Sequence, residues 1–370
     1  MTEPNHNPSP VLRNRVIVRV ARSGPIDFGR RVAAIRLFGG RLSMRADLRS
    51  LGAGSILLLL AGVIGTVSLA SGKFPIPLVD VFRALLGTTD DNIRMVVVEW
   101  RLPRLLLAFL LGTALGLSGA IFQSLTRNPL GSPDIIGFSA GSYTGALVVI
   151  LLFSGGYYAT AAGALAGGIV TAAAVYLLAY RGGAQGFRLI VVGIGISAML
   201  GALNAWMIRQ ADLQIAMSAA IWGAGSLNGL GFEQFWPVLL MLILIVPFVL
   251  VLARPMRQLE LGDDAAMASG LNANRLRLML MIGGVALTAI VTAAAGPIAF
   301  VSLAAPQIAR RLVRAAGVAL VPAALTGGLL LTAADWGAQH GFGVQLPVGV
   351  MTVSIGGLYF LWLLLREARQ

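Results

Sequence analysis

The 370-residue sequence contains no cysteine, a single lysine and only two histidines. Without cysteine it can form no disulfide, thiolate metal site or cysteine nucleophile. His6 and His340 lie far apart with no ligand spacing around them, so no metal site is expected. The lone Lys73 follows Gly72. A phosphate-cradling loop reads G-x-x-x-x-G-K-[ST], but Val67 stands at its first glycine position and Phe74 replaces its hydroxyl. ATP hydrolysis by that route is excluded. Charge is scarce too, at 12% of residues against about 25% in soluble domains.

Apolar residues dominate at 57%, and there are 46 glycines. Membrane helices use small residues for close packing, so both excesses fit a membrane protein. This composition rules out a soluble enzyme, a disordered chain and a nucleic-acid-binding domain. A net charge of +13 would otherwise suggest nucleic acid; in a membrane protein it reports loop orientation.

Residues 1–50 hold ten arginines and prolines at 4, 8, 10 and 25, and read as a basic, mobile cytoplasmic tail. The alternative is a segment attracted to anionic lipid, in which Arg30 to Leu42 forms a short interfacial helix. No long apolar run lies there, so the segment does not read as a secretory signal peptide. Residues 51–370 read as the transmembrane domain. A span needs about 20 apolar residues. Candidates are Leu51–Ser71, Arg104–Leu125, Ile135–Phe153, Tyr158–Tyr180, Leu189–Ile208, Phe235–Ala253, Leu278–Ala295, Ala319–Trp336 and Val348–Leu365. A tenth run, Pro297–Ile308, is short, and charge decides its status. With it counted, 22 of the 28 basic residues fall on the side of the N-terminal tail, as the positive-inside rule requires. The sequence thus predicts an all-α polytopic membrane protein with about ten transmembrane helices and both termini cytoplasmic.

G-x-x-x-G pairs at Gly112/Gly116, Gly141/Gly145 and Gly163/Gly167 point to close packing within one bundle. The spans are almost free of ionisable groups, Asp335 being the main exception. An intramembrane carboxylate is a functional candidate, but its place near the outer end of the ninth span favours a hydrogen-bonded structural role.

Three non-spanning segments are patterned. The outer Glu99-Trp-Arg-Leu-Pro-Arg104 has a proline turn flanked by Arg101 and Arg104, which either snorkel to lipid or dock acidic side chains of an external partner. Leu213–Leu227 reads as a short re-entrant or interfacial helix at the outer mouth, or a loop resting on lipid. The cytoplasmic loop 254–277 reads as two short helices joined at Gly270, with Glu260, Asp263 and Asp264 opening the first. Such a knob suits docking onto a separate protein, the alternative being an interfacial linker.

These segments resemble the iron-siderophore and cobalamin permease family of bacterial ABC importers. The resemblance runs from about Met95 to Glu367. It is carried by Arg101-Leu-Pro-Arg104, the string from Gly116 to Asp134, Leu261-Gly-Asp-Asp264, Gly296-Pro-Ile-Ala-Phe-Val301, Ala305-Pro-Gln-Ile-Ala-Arg310 and Leu346-Pro-Val-Gly349. Within the family, Glu99–Arg104, Gly193–Ile196 and Ser226–Gly229 point to the ferric enterobactin branch more than to cobalamin. The resemblance implies a type II importer permease fold of ten helices in the bacterial inner membrane. It implies a second permease subunit, more consistent with a paralogue than a copy, two ABC ATPase subunits that carry ATP and Mg, and an external siderophore-binding protein. It gives this chain no cofactor of its own and no nucleic-acid partner. Arg101 and Arg104 inherit binding-protein docking, and Gln339 stands where the cobalamin relative has a third docking arginine. Glu260, Leu261, Gly262, Asp263, Asp264, Ala265, Ala266, Ser269, Gly270 and Leu271 inherit ATPase coupling. Gln185, Gly186 and Phe187 align with the inner gate.

Overall fold

The computed structural model describes residues 17–21, 32–37, 42–180, 186–315 and 317–367. It divides into two compact units, Met1–Ile56 and Leu57–Gln370. In the first, β1 (Ile17–Ala21), β2 (Val32–Leu37) and β3 (Leu42–Asp47) form an antiparallel sheet in the order β1-β2-β3. Arg19 pairs with Ala34, and Ala34 with Arg45. The interfacial helix considered for Arg30–Leu42 therefore fails, Val32–Leu37 being strand, while the all-α expectation stands for the membrane domain. Val32 and Ile35 are β-branched and favour strand, and β2 is paired along both edges.

From Leu48 on, the described residues are mainly helical. Helices α1 (Leu48–Ala70), α2 (Leu78–Leu85) and α3 (Asp91–Arg94) come first. A π-helical turn, Met95–Arg101, then carries α3 without a break into α4 (Leu102–Thr126). Next are α5 (Phe138–Phe153), α6 (Tyr157–Ala179), α7 (Gly186–Gln210), α8 (Leu213–Gly223) and α9 (Phe232–Glu260). The series ends with α10 (Asp263–Ala268), α11 (Ala273–Ala295), α12 (Val301–Val313), α13 (Leu320–His340) and α14 (Val348–Glu367). Among the described residues, seven are long and apolar enough to cross a membrane: α1, the continuous α3–α4 rod, α6, α7, α9, α11 and α13. With α5, α12 and α14 they match the ten expected spans. The short tenth run is the 13-residue α12.

One expected loop is not a loop. Glu99, Trp100 and Arg101 belong to the π turn, and Pro103 lies in the first turn of α4. Pro103 has no N–H to offer the carbonyl of Glu99, so the helix changes register there instead of ending.

Helix α4 is the hub, and most of its residues from Leu107 to Thr126 are buried. A Cβ at Gly112 or Gly116 would fall on the backbone carbonyls of Gly327 or Ala323 in α13. The seam between α5 and α6 has the same construction, with Gly141 and Gly145 against Gly167 and Gly163. The glycine pairs thus serve packing within the chain. Hydroxyls add ties where two helices touch. Ser118 Oγ of α4 donates to Gly284 O of α11 at 2.8 Å, and Thr144 Oγ1 of α5 donates to Asn204 Oδ1 of α7 at 2.7 Å. The expected short helix near the outer mouth is α8, and its glycine-rich end is pinned. Ser226 N donates to Ala295 O at 2.7 Å, and Gly349 N donates to Gly225 O at 3.0 Å.

Replacing Gly116 with Val should force α4 from α13 and cost about 1–3 kcal/mol or more, the range for overpacking a filled interior. The melting temperature of the detergent-solubilised protein checks this; an unchanged value contradicts the backbone contact.

Candidate functional site

At the outer end of α4 the two arginines are both engaged. Arg101 donates through Nη1 to Leu69 O at 2.7 Å and through Nη2 to Phe74 O at 2.8 Å. It thereby closes the turn after α1. Arg104 forms a bidentate pair with Asp335 of α13, Nε to Oδ2 at 3.0 Å and Nη2 to Oδ1 at 2.8 Å. Gln339 Nε2 also donates to Asp335 Oδ2, at 2.7 Å. The Arg104 and Asp335 side chains are 14% and 4% exposed, so this is a desolvated pair. Asp335 has the hydrogen-bonded structural role expected of it. Gln339 enters the same cluster through the carboxylate, not through the arginine.

At the cytoplasmic end, α10 is a six-residue knob between α9 and α11. Gly262 (φ 125) and Gly270 (φ 84) turn the chain at its two ends, and L side chains rarely adopt such angles. Asn272 caps α11 by accepting from Arg275 N at 3.0 Å. Ala266 is buried against the bundle, while Leu261, Asp264, Ala265 and Met267 are exposed. Ser269 Oγ donates to Ala266 O at 2.8 Å, and Leu271 packs on the core. Glu260 does not open this helix: it is the last residue of α9, and its carboxylate lies beside Gly317. Asp263 holds the knob down. Arg277 Nη2 reaches its two oxygens at 2.6 and 2.7 Å, and Arg127 Nη2, from the end of α4, reaches Oδ1 at 2.6 Å. Burial pushes the Asp263 carboxyl up, but Arg277 and then Arg127 outweigh it and hold the group below its ordinary value.

Of the three gate residues, Gln185 lies outside the described residues. Gly186 starts α7 directly against the backbone of Thr126, with no room for a side chain, and Phe187 is exposed. The structure brings Gly186 to the end of α4.

The sequence reading missed a third cluster. Asp134 precedes α5 and accepts from Ser139 Oγ at 2.5 Å and from Ser302 Oγ of α12 at 2.9 Å. Close by, Gln123 Nε2 donates to Leu303 O at 3.0 Å, and Gln307 Nε2 donates to Gln123 Oε1 at 2.8 Å. Asp134 was visible only as the acid of Ser-Pro-Asp before an unusually short span. Among the described residues, no group of three or more His, Asp or Glu side chains is placed to hold a metal ion.

Residues 57–366 match the FecCD transport family. The chain belongs to the FecCD transport family. It is 50% identical to the ferric enterobactin transport system permease protein FepG of Escherichia coli, over 85% of this chain and 96% of that one. It is 35% identical to the achromobactin transport system permease protein CbrC of Dickeya dadantii, over 89% and 95%. Among solved structures it is similar to an inward-facing conformation described as a metal-chelate type ABC transporter. There the TM-score is 0.76 and the identity 27%, covering 85% of this chain and 98% of that one. As a FecCD chain it is an inner-membrane, multi-pass protein. The match begins inside α1, so the N-terminal sheet lies outside the family region.

Two outcomes follow. Arg104→Leu should cost about 3–5 kcal/mol, because it leaves a buried carboxylate unpaired, whereas Arg104→Leu with Asp335→Leu should recover most of that loss. Thermal melts of the three proteins decide it; equal melts for the single variant and the wild type contradict a buried pair. For Asp263, a depressed carboxyl stabilises the fold above its unfolded pKa, and the contribution fades as pH falls through the lower folded value. Protection of the α10 amides, taken relative to their intrinsic exchange rate at each pH, should therefore hold from neutral pH down to about 4 and fall only below it. Loss of protection beginning near neutral pH would contradict the bridge.

Proposed function

We propose that the chain is one membrane subunit of an ATP-driven importer that moves a ferric siderophore across the cytoplasmic membrane. The observation that carries this is the 50% identity, over nearly the full length, to a ferric enterobactin permease. The α10 knob supports it, since a knob with Leu261 and Met267 exposed suits a groove on a partner protein. The chain has no phosphate-cradling loop, so ATP and Mg belong to two separate ATPase subunits. A second permease subunit, a paralogue in this reading, completes the pathway, and an external binding protein delivers the siderophore. ATP binding favours one of two arrangements of the bundle, and the knob passes that preference to the spans.

We assign binding-protein docking to Arg101 and Arg104, with a condition set by their contacts. Arg104 must share or exchange Asp335 to meet an external carboxylate. Arg101 must do so while tied to the α1 turn.

Reconstitution in proteoliposomes with the ATPase pair tests the transport reading. Uptake of a radiolabelled ferric catecholate should require ATP and be indifferent to an ion gradient. Uptake driven by a gradient without ATP would make the chain a secondary transporter, and uptake of haem or cobalamin alone would move the substrate class. For docking, Asp335→Asn should keep or raise affinity for the binding protein, because it frees Arg104. Adding Arg104→Gln in that background should lower affinity about tenfold or more, as loss of a charged docking contact does. Unchanged affinity in the double variant removes Arg104 from the interface.

A further inference from the structure

We infer that Asp134 is a positioning residue that pins two facing helix N-termini. With Arg127 it makes residues 127–137 a second link between the α10 knob and the bundle. This rests on the importer reading above.

The lengths come first. Helix α5 has 16 residues and α12 has 13, about 24 and 20 Å, against a hydrocarbon core of about 30 Å. Neither crosses unaided. By the charge count α5 runs outward and α12 runs inward, and Ser302 lies against Gly119, so the α12 start sits part-way along α4 and not at its end. Each starts after a left-handed residue, Gly137 (φ 91) for α5 and Phe300 (φ 68) for α12. Helix N-termini carry unpaired N–H groups and about half a positive charge each. Two such ends facing each other away from water repel.

Asp134 lies between them. Ser139 is the second residue of α5 and Ser302 the second residue of α12, and each donates its hydroxyl to a different oxygen of this carboxylate. One negative charge thus compensates two partial positive ends and bonds both. Gly119 of α4 holds the joint in place, because its Cα lies directly under the Ser302 backbone.

The same segment is anchored at its other end to the knob. Arg127 closes α4 in a left-handed conformation (φ 48) and bonds Asp263 Oδ1 at 2.6 Å and Leu259 O at 3.0 Å. Between the anchors, Asn128 Oδ1 accepts from Leu130 N at 2.9 Å, and Gln307 of α12 donates to Pro129 O at 3.1 Å. A displaced knob therefore pulls on a braced segment that ends at the starts of α5 and α12. This route is additional to the direct one, from α10 through Arg277 into α11.

The test uses the assembled complex with its co-purified ATPase pair. The chain has no cysteine, so a single Leu312→Cys on α12, half-exposed, is its one labelled site, and the maleimide labelling rate is read on this chain after separation from its partners, with and without ATP. Asp134→Ala and Arg127→Ala should each keep assembly and ATP hydrolysis but reduce the ATP-dependent change about fivefold, a usual size for coupling between sites. Asp134→Asn keeps one acceptor oxygen but neither the charge nor the second oxygen, and should restore only part of it. Acting in series, the two alanine variants combined should lose no more than the worse one alone. A full ATP response in Asp134→Ala, or additive losses in the double variant, overturns the inference. If Asp134→Ala does not assemble, Ser302→Ala replaces it: a partial loss supports the inference and an unchanged response overturns it. Labelling does not depend on the substrate. A complex that responds to ATP through Asp134 but imports no ferric siderophore would sink the substrate reading and leave this one standing.

Discussion

Backbone contact along α4 is the constraint on which the rest of the membrane unit depends. Gly112, Gly116 and Gly119 let α13 and α12 approach until main chain meets main chain. Between helices in lipid there is little hydrophobic drive, so packing and a few hydrogen bonds must hold the bundle. A helix fixed in this way acts as a rod. Its outer end carries Arg104, paired with Asp335, and its inner end carries Arg127, paired with Asp263. The arginine–carboxylate pairs at both ends of the bundle thus hang on one buried helix.

The same rod explains why the ion pairs matter unequally. The Arg104–Asp335 pair is desolvated and bidentate, so breaking it leaves a charge stranded. The Arg127–Asp263 pair is nearly half-exposed, and its worth lies in where it holds the knob more than in its energy. Asp263 is shared with Arg277, so one carboxylate joins α4, α10 and α11.

Much of the fold was legible in the sequence because the bilayer imposes length. The long apolar runs became helices, and the positive-inside count rescued the 13-residue α12, which length alone would discard. The knob was legible because Gly262 and Gly270 bracket its alanines. What stayed hidden was tertiary. Arg104 and Asp335 lie 231 residues apart, and nothing local pairs them. The π turn ahead of Pro103 follows from register in a helix whose start the proline was expected to mark. Asp134 was read past because a span was expected to start beside it. In fact the span is short, and the carboxylate belongs to the starts of two helices. The N-terminal arginines masked strand pairing that only the register between β1, β2 and β3 reveals.

A FecCD chain that packs so completely around α4 makes sense as a part of something larger. The most direct measurement is affinity purification of the tagged chain from its native membrane, with mass determination of the intact assembly. The account predicts a second permease chain and two ATPase chains at fixed stoichiometry, with ATPase recovery falling, and the second permease chain retained, when the α10 knob is disrupted. A chain recovered alone, or with partners that include no ATPase, would contradict it.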